Sequence, residues 1–429
     1  MDAGDTSEIA MINHDAQPGK LDRCQITGAA NLDLVIDLGH QPLCDALLTA
    51  ETIDEPEATY PLRLNHCPES GLAQLDYVVE GSVVFPPSYP YRSGISAPME
   101  RYQRAFAEGI RARLGLPPQS LCVDVGSNDG TLLTGFRKLG MRVLGVEPTR
   151  IAEIARAENG VETIEGFFTE ALARDIVQDY GHAQVITMTN VFAHMATLGE
   201  VMRGICHLLA KDGVFVSESH YLLDVLEKNQ FDTIYHEHIR TYSLKSLQLL
   251  VSYYGLEVFD VERSERYGGN IRVYVGREGL RPVSSDVGEL LAVEESSGLH
   301  RPETWRAFVQ RVLDNRDRFM EHLYELRGKG LSVAGYSCPG RAATLLNFYG
   351  VTPDLMPYIG ELPDSLKLDM FVPGRHIPVV HNRRIYDERP ENIVILAWHY
   401  ADFIVKRLRA DGIKANLILA LPEFHVVTA

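Results

Sequence analysis

Long apolar runs are missing from this 429-residue chain. None approaches the roughly 18 to 20 residues that span a bilayer, which excludes a helical membrane span. Met1 to Lys20 also lacks the basic-then-apolar order of a secretory signal, so the expected location is cytoplasmic. Positive charge is short as well: 41 Lys and Arg against 58 Asp and Glu give a formal charge of -17. Such a surface repels a nucleic-acid backbone instead of gathering it. Cysteine is sparse, with Cys24, Cys44, Cys67, Cys122, Cys206 and Cys338 scattered along the chain. That excludes a disulfide scaffold and predicts reduced thiols. No internal sequence repeat is present. What the chain does have is length, enough for two or three cores at about 150 residues each, and the expected assembly is a monomer or weak oligomer.

The organisation follows from composition and period. Residues 1–20 are polar and aperiodic and read as a loose tail. From 21 to 91, short extended segments such as LDLVIDLG, PLRLNHC and AQLDYVV alternate with Pro/Gly turns, predicting a small β-rich module. From 92 to 280 strands and helices alternate, the grammar of an α/β fold. Strands are predicted at Leu121 to Gly126, Arg142 to Glu147, Gln184 to Asn190, Gly213 to Ser219, Leu256 to Val261 and Ile271 to Val275. Leu247, Leu250, Val251 and Tyr254 fall at helical spacing, with Ser243 to cap that helix and Gly255 to end it. Residues 281–328 read as a polar connector followed by a long helix carrying Trp305, Phe308, Val312, Phe319 and Leu323 on its buried stripe. From 329 to 429 the α/β pattern restarts, predicting a second, smaller parallel sheet.

The run CVDVGSNDGTLL sets Gly126 and Gly130 between a strand and a helix, where backbone amides approach a ligand closely. A dinucleotide site wants GxGxxG. Here Ser127 takes the middle, and Asn128 and Asp129 add polar side chains, which suits a cation-bearing ligand better than a pyrophosphate. About twenty residues on, Glu147 closes the next strand, the position from which an acid reaches ribose hydroxyls. Gly126, Asn128, Asp129, Gly130 and Glu147 are therefore the candidate cofactor contacts.

The segments LDLGHQPLCDAL, CPESGLAQLDYVV, DVGSNDGTLL, GVEP, NVFAHM, FDTIYHEHIRTYS, YGGNIRVYV, GYSCPGRAATLLNFYGV, PGRHIPV and LAWHY resemble, in the same order, those of sugar C-methyltransferases. The resemblance covers nearly all of the chain after residue 20. It implies a zinc-binding-like N-terminal module, a class I Rossmann-like fold that binds S-adenosylmethionine (SAM), and a second Rossmann-like domain for a nucleotide sugar. It also implies methyl transfer to a carbon beside the carbonyl of a nucleotide-linked 4-keto sugar, with a dTDP-linked deoxysugar expected.

An electrophilic methyl reaches carbon only after the carbon loses a proton, so such a site needs a base and oxyanion stabilisers. By the family's pattern His238 is the base, Tyr235 the enolate partner and Glu237 an orienting or sugar-binding group. His236 is grouped with the substrate contacts. Asn190 and His194 resemble family residues that face the sugar. Tyr91 is similar to a tyrosine that the N-terminal module presents to the site, with Tyr89 as its alternative. For the diphosphate, Arg341 stands at a helix start where the family usually has Lys, Lys367 and Arg375 are placed to assist, and Arg272 lies near the central site.

Three departures stand out. The family's zinc module uses two CxxC pairs, but here CQIT and CPES put Thr27 and Ser70 where thiolates are expected. Cys24 and Cys67 alone do not close a tetrahedral cage; Cys44, His40 or His66 are the available substitutes, and the alternative is a module held by packing. Tyr267 replaces a frequent His before GG, and His399 a frequent Asn after Trp. These changes leave open methylation of oxygen, nitrogen or a non-sugar carbon, or a non-catalytic relative that binds nucleotide sugar.

Overall fold

The computed structural model describes residues 14–90, 92–95 and 97–428. Its centre is a seven-stranded sheet whose first strand, Leu121–Val125, is buried at all five positions, as a parallel strand covered on both faces must be. Counted along the chain from this strand, the spatial order is third, second, first, fourth, fifth, seventh, sixth. The first five strands run parallel, and the seventh lies antiparallel between the fifth and the sixth. The order reverses between the first strand and the fourth, Ala183–Thr189. Ligands bind at such a switch point because the two crossovers leave a crevice above the strand ends. Predicted strand positions agree with those observed, although the fifth is longer, Leu209–His220. The helix Leu244–Ser252 has Ser243 in a capping box with Ser246.

The N-terminal module is a four-stranded antiparallel sheet, and its edge strand is borrowed. Arg240–Thr241, two residues beyond His238, pairs with Leu72–Leu75. Arg240 is 1% exposed and donates to Gln25 Oε1 at 2.6 Å, Tyr242 OH at 2.9 Å, Phe192 O at 3.2 Å and Met195 O. A buried guanidinium with this many acceptors is satisfied and fixes its loop.

Three expectations need correction. The supposed tail is packed from His14 onward: the His14 ring lies 2.6 Å from Tyr254 OH and 3.0 Å from Ile26 O, and Gly19–Lys20 pairs with Tyr77–Val78. These are single polar anchors to distant residues, which periodicity does not reveal. Residues 1–13 lie outside the described residues. The connector carries a helix, Ser285–Ser296, whose buried Val287, Leu290 and Glu294 form a narrow stripe. Glu294 accepts from Tyr221 OH and from the Leu244 and Lys245 amides, placing a carboxylate at the positive end of a helix. Finally, the C-terminal sheet matches the central one in strand number, seven, and its outer pairs are antiparallel. The long helix Pro302–Gly328 buries Trp305, Phe308, Val312, Phe319 and Leu323 as predicted.

Candidate active site

The first strand of the central sheet runs into a turn with Gly126, Asn128 and Gly130 at φ 71°, 51° and 74°. A Cβ on Gly126 would meet Val191 Cγ2 at 2.4 Å, so only glycine fits there. The turn spends its amides internally. Gly126 and Ser127 donate to Val146 O, and Asn128 donates to Glu147 Oε2 at 2.9 Å. These amides are therefore committed within the fold and do not form the ligand cradle expected from the sequence. Glu147 is 5% exposed, also accepts from the Thr149 amide and hydroxyl, and has its pKa raised by burial. Ser127 Oγ is buried and finds no partner among the described residues.

Asp129 sits behind the turn, not in the cavity wall. It accepts from Arg92 Nε, Ser93 Oγ, the Gly94 amide and Thr131, tying residues 92–94 to the start of the helix Thr131–Lys138. Gly130 likewise shapes that helix start without lining the cavity. An acid the sequence reading passed over, Asp124, does line it; burial pushes its carboxyl up to about 7 although Thr187 donates to it at 2.6 Å.

Above this turn opens a cavity of about 480 Å³, within the usual range for a small-molecule site. Its wall includes Gly126, Asn128 and Glu147 together with Asn190, His194, Tyr235, His236, Glu237, His238 and Arg341. The loop that carries His238 follows the single helical turn Phe231–Thr233. Nδ1–H of His238 donates to Thr233 O at 2.8 Å, which leaves Nε2 as the basic nitrogen. Its ring centre lies 4.0 Å from that of Tyr235 and 5.0 Å from those of His194 and His220. Burial brings His238 down to about 4, against the Thr233 bond that raises it. The same cause lowers His194 and His220 well below the ordinary imidazole value and raises the Tyr235 phenol. His236 meets Tyr60 edge-on at 5.8 Å and is brought by burial to about 4. Tyr91 lies outside the described residues. Tyr89, its alternative, donates to Glu237 Oε2 at 2.8 Å.

The expected cations already have partners. Arg341 lines the cavity but forks onto Asp232 through Nε and Nη2, both at 2.7 Å. Trp398 Nε1 donates to the same carboxylate at 2.9 Å. Lys367 stands just behind the wall, 2.6 Å from Asp45 Oδ1, and Arg375 turns to Asn347. Arg272 is not at the cavity. It lies opposite Glu218 on the neighbouring antiparallel strand, pairs with Glu218 and Glu262 and sits over the Phe106 ring. A cross-strand ion pair thus claims the arginine that the glycine-rich motif suggested as a ligand. The two departures Tyr267 and His399 both line the cavity, their ring centres 6.0 Å apart.

Cys24 and Cys67 converge with the residues that replace their partners. Ser70 Oγ lies 3.2 Å from Cys24 Sγ, and Thr27 Oγ1 lies 3.9 Å from Cys67 Sγ. The substitutes point elsewhere: Cys44 donates to Glu237, His66 stacks with His300 and lies tilted against Trp305, and His40 is exposed. Two thiols and two hydroxyls do not fit the closed cage of Cys and His that zinc requires. The only grouping of three metal-ligand atoms among the described residues, Cys44, Asp45 and Glu237, already faces the Lys367 ammonium.

Three protein families match the chain in succession. Residues 24–85 match the family described as "Putative zinc binding domain", residues 99–261 a methyltransferase domain, and residues 265–422 the C-methyltransferase C-terminal domain. Over 413 residues the chain is 32% identical to C-methyltransferase NovU of Streptomyces niveus, covering 95% of this chain and 97% of that protein. Similar solved structures include a SAM-dependent methyltransferase from Anabaena variabilis, at 16% identity and TM-score 0.35 over 44% of this chain and 89% of that one. Another, from Clostridium acetobutylicum, shares 12% identity at TM-score 0.34, over 42% and 92% respectively. With near-complete coverage by one relative and all three domains in order, this chain belongs to the C-methyltransferase family and is a SAM-dependent C-methyltransferase with a class I Rossmann-like fold.

Proposed function

We propose that the chain methylates a carbon next to the carbonyl of a nucleotide-linked, dTDP-type 4-keto-deoxysugar, in deoxysugar or natural-product biosynthesis. The observation that carries this reading is the tautomer of His238: with Nδ1–H held by Thr233 O, the lone pair of Nε2 is available on the wall of the cavity that Glu147 and Gly126 also line. Gly126, Asn128 and Glu147 would hold SAM, which supplies an electrophilic methyl when bound. His238 removes the proton beside the sugar carbonyl. Its pKa of about 4 keeps it free to accept at neutral pH, and the negative charge growing beside it strengthens it as a base as the proton moves. Tyr235 stays protonated because burial raises its pKa, so it donates a hydrogen bond to the developing enolate oxygen. His194, Asn190 and Glu237 orient the sugar. A diphosphate has to compete with Asp232 for Arg341 and with Asp45 for Lys367.

The test is a panel of nucleotide-linked 4-keto sugars incubated with methyl-labelled SAM, with products read by NMR. A labelled methyl bonded to carbon beside the former carbonyl is expected. Label on oxygen or nitrogen, or no transfer to any member of the panel, sinks the reading.

A further inference from the structure

Two acids meet at the corner of the cavity where the N-terminal module, the catalytic loop and the C-terminal sheet join. Glu237 arrives on the catalytic loop, and Asp45 on the turn that follows the strand Asp33–Gln41. A carboxyl oxygen of each, together with Cys44 Sγ, lies within 4.8 Å of the others. Their partners differ in kind. Asp45 receives the Lys367 ammonium at 2.6 Å in a pair only 9% and 11% exposed. Glu237 is 6% exposed, and its hydrogen bonds come from neutral donors, Tyr89 OH at 2.8 Å and Cys44 Sγ at 3.3 Å.

Two buried carboxylates at this separation resist ionising together, and of the two it is Asp45 that stands in an ion pair, with Lys367. We propose that Asp45, anchored by Lys367, is a positioning residue that keeps Glu237 a neutral acid, so that Glu237 offers an O–H donor to a substrate oxygen in the cavity. Only the identity of that oxygen, the keto oxygen or a neighbouring hydroxyl, rests on the keto-sugar reading above.

Every group that faces Glu237 fits this assignment or is outweighed. Burial first, and Asp45 second, push the Glu237 carboxyl up to about 8. Tyr89 and Tyr235 are raised by burial and by Glu237 itself, and Cys44 likewise, so all three are uncharged near neutrality. The hydrogen bonds from Tyr89 and Cys44, and after them Lys367, act in the opposite sense on Glu237, but burial and Asp45 outweigh them, and the contact of Lys367 is with Asp45. Paired acids whose surroundings drive their ionisation apart divide into an acid and an anion. The neutral member can donate a hydrogen bond that tightens as charge gathers on the acceptor.

An infrared titration of the full chain without substrate tests this. Glu237→Gln identifies the protonated carboxyl band of Glu237. In the wild type that band is expected at pH 7, disappearing with a midpoint near 8. In Asp45→Asn the midpoint is expected to fall to about pH 7 or below, since the repelling charge is gone. Absence of a Glu237-dependent band at neutral pH overturns the proposal, and so does an unchanged midpoint in a folded Asp45→Asn protein. Should Asp45→Asn fail to fold, Asp45→Ser puts the same question with a smaller neutral side chain. Because no substrate is present, a failed sugar screen leaves this result standing, and a failed titration leaves methyl transfer standing.

Discussion

The Nδ1–H of His238 is tied to the carbonyl of Thr233, five residues earlier in the same loop, at 2.8 Å. One hydrogen bond thus fixes both the orientation of the ring and the nitrogen that can act. Replacing His238 by Ala removes the base and leaves the glycine turn and Glu147 in place. Methyl transfer is expected to fall by about two to four orders of magnitude, while SAM affinity, read by calorimetric titration, stays nearly unchanged. Equal loss of both would mean that the loop, and not the imidazole, is what matters.

Arg341 and Asp232 form a buried two-point ion pair, with side chains 7% and 1% exposed. Taking away one partner strands the other in a low-dielectric site, so Arg341→Met is expected to cost about 3–5 kcal/mol in urea denaturation. Arg341→Lys, which restores the family's usual residue but not the fork, is expected to lose less. A stable Arg341→Met protein would show that Asp232 protonates or finds another donor.

Acid should weaken this fold early. Burial brings His66 to about 3 and His236 and His238 to about 4, all below the roughly 6.5 of an unfolded imidazole. Groups depressed in this way stabilise the fold above about pH 6.5, and that contribution is lost as pH falls toward their folded values. Glu237, raised to about 8, Asp124, raised to about 7, and Glu147, raised by burial, work in the opposite direction across the same window, but burial lowers His14, His194, His220 and His399 as well, so the imidazoles outnumber the acids. The melting temperature should therefore rise from about pH 5 to about pH 7 in scanning calorimetry, and a flat or falling profile would contradict the imidazole assignments.

Thr27 and Ser70 stand beside Cys67 and Cys24 where two further thiols would complete a metal cage. The double substitution Thr27→Cys/Ser70→Cys is expected to take up about one zinc per chain with tetrahedral coordination. Elemental analysis of the wild type should find far less than one. Stoichiometric zinc in the wild type would mean that hydroxyls or a rearranged histidine complete the site.

Local features of the site were legible in the sequence; contacts between distant segments were not. The glycine turn and Glu147 follow from the spacing of one strand–turn–helix unit, and the loop around His238 from its resemblance to the family's pattern. Asp45 reaches Glu237 from the far end of the chain, and its motif gives no sign of chemistry. His220 ends a strand whose alternation looks merely structural, and Tyr89 could not be told from Tyr91 by pattern. Arg272 misled for the opposite reason: its motif suggested a ligand, but strand register set it against Glu218. The helix Ser285–Ser296 was hidden by composition, because its stripe includes a buried acid, Glu294, where pattern reading looks for an apolar residue.

The short strand Arg240–Thr241 begins two residues after His238 and completes the sheet of the N-terminal module. Detaching that module would peel the loop away and admit water to the imidazole while the central sheet was still intact. Fraying at the edge of that four-stranded sheet is thus a local opening that uncovers the imidazole without loss of the largest core.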